Sequence, residues 1–163
     1  MLIRLKNKDT LIVDDFTFKC SIGKSGVKKN KKEGDKSTPK GTFSLGNLYF
    51  RADRVKRLNT KLNTKIIKKN MGWCDDPKSR YYNKEMLINK KINHEKLFRK
   101  DSVYDYFIVI NYNTKKTNPK KGSAIFLHLT KNYNPTLGCV AILRKDFEII
   151  SKLINKKSKI KIY

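Results

Sequence analysis

The amino-acid sequence predicts one domain over residues 1–163, mainly β or α+β in class. Three observations predict it. The runs "YFIVINYN", "SAIFLHL" and "GCVAIL" are almost continuously apolar, as central strands buried on both faces are. Both ends of the chain alternate apolar and polar residues, the signature of half-buried strands. A sustained helical period occurs only in "RKDFEIISKLIN".

The elements follow in order. "LIRL" and "LIVDD" flank the turn "KNKD", and "FTFKCSIG" alternates before stopping at Gly23. "KSGVKKNKKEGDKSTPKG" is polar, rich in Gly and Lys, and reads as a loop. Its "GKS" at residues 23–25 is no phosphate-binding loop, because that motif needs a glycine at position 18, which is Phe18. "TFSLGNLYFRAD" returns to strand. The stretch from Arg54 to Asn70 is basic and weakly patterned, part of it expected as helix. "MGWCDDPKSRYYN" reads as irregular, anchored by Trp73, and a helical turn is expected near Asn93. Phe147, Ile150, Leu153 and Ile154 recur at helical spacing opposite a Lys-rich face, and "SKIKIY" closes the chain as a strand.

A hydrophobic fraction of 38% is lean, yet a chain of 163 residues can still bury a core. No apolar run approaches the roughly 20 residues that span a bilayer. The first residues, "MLIRLKNKDTLIVDDF", lack the long apolar segment and small-residue cleavage site of a secretory signal. The expected location is therefore the cytoplasm, or the periplasm or cell envelope if the chain is trimmed from a longer protein. The formal charge of +25 suits a nucleic-acid binder, but the 39 basic residues are 32 Lys and 7 Arg, spread through every loop. A solvated surface is the simpler reading, although charge alone leaves nucleic acid open. Such a field also steers acidic small molecules or peptides inward. The three cysteines, Cys20, Cys74 and Cys139, are expected as free thiols, and no spacing among Cys, His and acids matches a metal site. No cofactor is implied.

The chemistry concentrates in "HLTKNYNPTLGCV". His128 ends one apolar strand, Cys139 opens another, and a ten-residue connection lies between them. A cysteine attacks as its thiolate, and a free thiol titrates near about 8.5, so a nearby imidazole must take its proton. Gly138, just before the cysteine, permits close approach of a reacting carbonyl and leaves backbone N–H groups for an oxyanion. Spacing alone leaves two readings open: this catalytic pair, or a buried free cysteine beside a hydrogen-bonded histidine.

The ordered set "SAIFLH…PTLGCVAIL" resembles the L,D-transpeptidase catalytic domain, the YkuD-type family, whose signature is His, a loop, Ser or Thr, one residue and Gly-Cys. Here these are His128, Thr136, Leu137, Gly138 and Cys139. Upstream, "EGDKSTPKGTF" is similar to the family's TPxGxF element, and the likeness covers roughly residues 20–150. It implies a β-sandwich-like fold with a few short helices. It further implies cleavage of the L,D bond before the terminal D-Ala of peptidoglycan stem peptides or their muropeptide fragments. Cys139 would be the nucleophile, His128 the general base and then acid, and the Cys139 N–H an oxyanion donor. Thr136 would orient the site. Many members carry Arg or Asn soon after the cysteine, where this chain has Val140 and Ala141; Arg51 or His94 is the expected substitute for holding substrate. The absence of a visible export signal points to the compact branch taken to be L,D-carboxypeptidases. The alternative is an inactive, basic nucleic-acid- or surface-binding module on the same scaffold.

Overall fold

The structure is a computed structural model that describes residues 1–163. Strands β1 (Leu2–Lys6), β2 (Thr10–Val13) and β3 (Phe16–Lys19) form an antiparallel meander. Its turns use Asn7 and Asp14 in left-handed backbone conformation, which short polar side chains tolerate. The loop that follows contains a small parallel pair, β4 (Val27–Lys28) and β5 (Thr38–Pro39). Then come β6 (Gly41–Phe50), β7 (Thr64–Ile66), β8 (Met71–Cys74), β9 (Glu85–Leu87) and β10 (His94–Lys96). The chain ends with β11 (Tyr106–Ile110), β12 (Phe126–Leu129), β13 (Val140–Ile142), α1 (Arg144–Leu153) and β14 (Lys159–Ile162).

The main sheet runs β13-β12-β11-β6-β14-β1-β2-β3, with β7 added beside β6. Strands β11, β12 and β13 are buried on both faces, as the apolar runs require, whereas β1 and β14 alternate buried and more exposed residues. In β11, Tyr106, Ile108 and Ile110 enter the larger core, whereas Phe107 and Val109 enter a second one. The larger core also takes Ile3, Leu11, Leu127, Val140 and Ile160, together with Phe147, Ile150 and Ile154 at the helix. Those helix residues are fully buried, so the sequence period identified both the helix and its inner face. The second core lies under the separate three-stranded sheet β10-β8-β9. It is aromatic: Phe107 stacks on Tyr49 at 4.6 Å and leans on Phe126 at 4.6 Å, and Trp73 meets Phe126 edge-on at 5.1 Å.

Three local expectations fail. Residues 54–70 contain no helix; their one strand is β7, held by parallel pairing to β6. No helical turn begins near Asn93, because His94–Lys96 pair with Gly72–Cys74 as β10. The stretch expected as irregular around Trp73 is β8, the middle strand of the small sheet. In each case pairing with a distant strand overrides weak local preference. The structure therefore has one helix in a mainly β fold.

Phe147 packs almost parallel to Tyr106 at 5.7 Å and is wholly buried. Phe147→Ala is expected to cost about 3–5 kcal/mol, read as a lowered urea midpoint with unchanged slope.

Candidate active site

His128 and Cys139 are brought together by parallel pairing. Strand β12 runs beside β13 with Leu127 opposite Val140 and His128 opposite Ala141. Cys139 immediately precedes this register and sits beside Phe126, whose N–H donates to the Cys139 Sγ at 3.3 Å. Side chains two apart on a strand share a face. Phe126 and His128 therefore point to the same side of the sheet, the side of the second core, which also takes Cys139.

The turn before Cys139 is fixed from several directions. Thr136 pairs with the segment after β3: its N–H donates to the Ile22 carbonyl at 2.9 Å, and its own carbonyl accepts from Lys24 at 2.9 Å. Its hydroxyl donates to the Cys139 carbonyl at 2.7 Å and accepts from the Gly138 N–H at 3.1 Å. Thr136 thus closes the turn on itself. From the other side, the Thr38 hydroxyl donates to the Gly138 carbonyl at 2.8 Å and accepts from the Gly23 N–H at 2.9 Å. Gly138 has φ +144, and a Cβ there would stand 2.9 Å from the Ser37 carbonyl oxygen, so only glycine fits.

The resting chemistry is that of two neutral groups. The His128 Nδ1 lies 2.9 Å from the Leu129 carbonyl, which has no proton to give; Nδ1 therefore carries the hydrogen and Nε2 keeps a free lone pair. Burial pulls the His128 pKa down to about 4. Burial also pushes the Cys139 thiol up to about 12, and the Glu95 charge adds to this; the Phe126 N–H and Lys31 act the other way. The thiol donates to the Ala124 carbonyl at 3.2 Å, and no hydrogen bond joins it to the imidazole. Tyr104 packs edge-on against His128 at 5.5 Å and donates its hydroxyl to the half-buried Glu95 carboxylate.

Both groups line one cavity of about 1010 Å³, as do Thr136, Tyr104, Glu95 and Lys31. Its walls include the connection from Thr130 to Leu137 and part of the lysine-rich loop from Lys31 to Lys36. Arg51 and His94 do not line it. The Arg51 guanidinium donates twice to Asp53 and once to the Arg99 carbonyl, and stacks on Phe98 at 3.4 Å. The His94 Nδ1 lies 2.7 Å from the Ile92 carbonyl, and its ring packs over Gly72. Neither replaces the charge absent after Cys139. Cys20 and Cys74 are buried free thiols elsewhere. Lys31, Thr38, Tyr104 and Glu95 had no assigned part in the site from sequence; only Thr38, inside the "TPKG" stretch, carried a signal.

The match to the family model for the L,D-transpeptidase catalytic domain, YkuD, runs over residues 2–162. A search of curated proteins finds no significant match. The sheet, the single helix and the His–Gly–Cys arrangement belong to the matched span, and the chain is a member of the L,D-transpeptidase catalytic domain family.

Proposed function

We propose that this protein cleaves the L,D peptide bond before the terminal D-Ala of peptidoglycan stem peptides through an acyl-enzyme on Cys139. The observation that carries the reading is the pair His128 and Cys139 on one sheet face, opening onto one cavity behind a glycine-dependent turn.

The neutral resting pair shapes the mechanism. The peptide displaces the thiol from the Ala124 carbonyl. The thiol proton passes to His128 Nε2 as Sγ attacks the scissile carbonyl carbon. The carbonyl π electrons move to oxygen, and the Cys139 N–H stabilises that oxyanion. Collapse breaks the C–N bond, and the His128 imidazolium returns its proton to the departing D-Ala amine. Water then yields the trimmed peptide, or an amine yields a new peptide bond. The Nδ1–H bond to Leu129 holds the ring in the tautomer this cycle needs. The absence of a preformed ion pair leaves the thiol quiet until substrate displaces it from the Ala124 carbonyl and it can pass its proton to His128.

Incubation with a purified stem tetrapeptide, with and without a free D-amino acid, followed by mass analysis, tests the reading. Tripeptide alone identifies a carboxypeptidase, and an exchanged tetrapeptide a transferase. Cys139→Ala is expected to lower either rate by about 10³-fold or more. Intact-mass analysis after carbapenem treatment should show an adduct that disappears in Cys139→Ala. No turnover and no adduct, together with salt-sensitive DNA binding, would instead favour a basic binding module.

The protonation states predict a second outcome. With the thiol held near 12 by burial, its thiolate share is small at neutral pH and grows steadily as pH rises. Alkylation of Cys139 by iodoacetamide should therefore quicken about tenfold per pH unit between roughly pH 6 and 10. A plateau near neutrality that vanishes in His128→Ala would show instead a preformed thiolate–imidazolium pair.

A further inference from the structure

The chain has 32 lysines, and Lys31 is the one that is buried. Its Nζ donates to the Asp35 carboxylate at 2.9 Å and to the Lys32 carbonyl at 3.2 Å. An ammonium has three N–H donors, so one has no protein acceptor. Asp35 is itself fixed, accepting from the Lys32 N–H and from both the N–H and hydroxyl of Ser37. That network holds the ammonium in place. It lies 3.3 Å from where a Cβ on Gly122 would stand and 3.6 Å from the same point on Gly138. It therefore abuts the residue before the nucleophile, on the wall of the cavity that holds Cys139.

The other cations of the cavity are otherwise engaged or exposed. Arg99 grips Asp101 through two donors, and Arg54 is bound to Asp105 and to the carbonyls of Lys100 and Asp101. Lys36, Lys100 and Lys131 are exposed to solvent. Val140 and Ala141, after the cysteine, carry no charge.

We propose that Lys31 binds the α-carboxylate of the substrate's terminal D-residue and thereby restricts cleavage to a free C-terminus; this rests on the function proposed above. The carboxylate of that residue lies only a few bonds from the scissile carbonyl. A peptide whose carbonyl reaches Cys139 brings this anion to the neighbourhood of Gly138. A buried, pre-positioned ammonium binds it as a charge-assisted hydrogen bond with little ordering cost. A C-terminal amide, or a peptide continuing beyond that residue, offers no such anion.

Calorimetric binding in the Cys139→Ala background tests this without turnover, comparing a tetrapeptide ending in free D-Ala with its C-terminal amide. The acid should bind more tightly. Lys31→Met should weaken acid binding by about 10–100-fold and leave amide binding unchanged, with Lys31→Arg retaining most of the affinity. Exposed Lys131→Met, the control for the general positive field, should change the acid much less. Equal affinity of acid and amide before any Lys31 substitution overturns the proposal, whether or not Lys31→Met folds. So does an equal loss for both ligands in Lys31→Met, which would place the ammonium's contact on a part of the peptide that acid and amide share. Binding of neither peptide overturns the function proposed above and this inference with it. Cleavage by the unsubstituted protein with no acid–amide difference overturns Lys31 alone.

Discussion

The site depends on one backbone constraint: β12 and β13 are parallel neighbours joined by only residues 130–139. Parallel strands usually need a crossover of about a dozen or more residues, because the chain must return the full length of the strand before starting again. Here no helix covers the return. The connection runs back as irregular chain, tied midway to the segment after β3 through Thr136, and becomes a cavity wall. Strand ends, wall and nucleophile turn are one continuous piece, so the imidazole and the thiol share a face without any long-range coincidence. The constraint also explains Gly138. A chain re-entering the sheet this tightly must pass close to the Ser37 carbonyl in a conformation that L side chains avoid.

A second tension follows from burial. The face that receives the site is the aromatic one, with Phe126, Trp73 and Tyr104 packed around it. A dry setting strengthens every hydrogen bond formed during reaction, but it disfavours charge on Cys139 and His128 at rest. The structure balances this by giving the thiol a carbonyl to hold. Ala124 supplies it from a left-handed conformation with φ 52, which a non-glycine residue keeps only when its surroundings require it. Asn83 is that requirement: its Oδ1 accepts from both the Ala124 N–H and the Trp73 indole, and its amide donates to the Tyr112 and Asn113 carbonyls. A single buried amide thus aligns the hydrophobic anchor and the group that parks the sulfur.

Much of this was legible in the sequence, and what was missed has a physical pattern. Long apolar runs declared the central strands, and the spacing of Phe147, Ile150 and Ile154 declared the helix, because burial writes itself into periodicity. The small sheet was invisible. Strands β8, β9 and β10 have three or four residues each, too few for a period to emerge, and they exist by pairing with one another. At the site, His128, Gly138, Cys139 and Thr136 stood out because they are close in sequence and chemically distinctive. Arg51 looked free because its partners, Asp53 apart, come from the distant stretch at Phe98 and Arg99. Lys31 could not be told from its neighbours in a loop full of lysines. Nothing local separates a lysine that folds inward from those that face water.

The placement of β14 has a consequence for how the molecule comes into being. It lies between β6 and β1, parallel to β1 and antiparallel to β6. Strand β1 reaches β6 only across β14, while the segment after β3 is tied to the opposite edge through the paired backbones of Ser21 and Ala141. Without residues 159–162 the β1 edge would stand unpaired, and the Ser21–Ala141 tie would hold the meander from its other end. Both ends of the meander are thus closed by residues distant in the chain, so its sheet forms through non-local pairings rather than by local zipping.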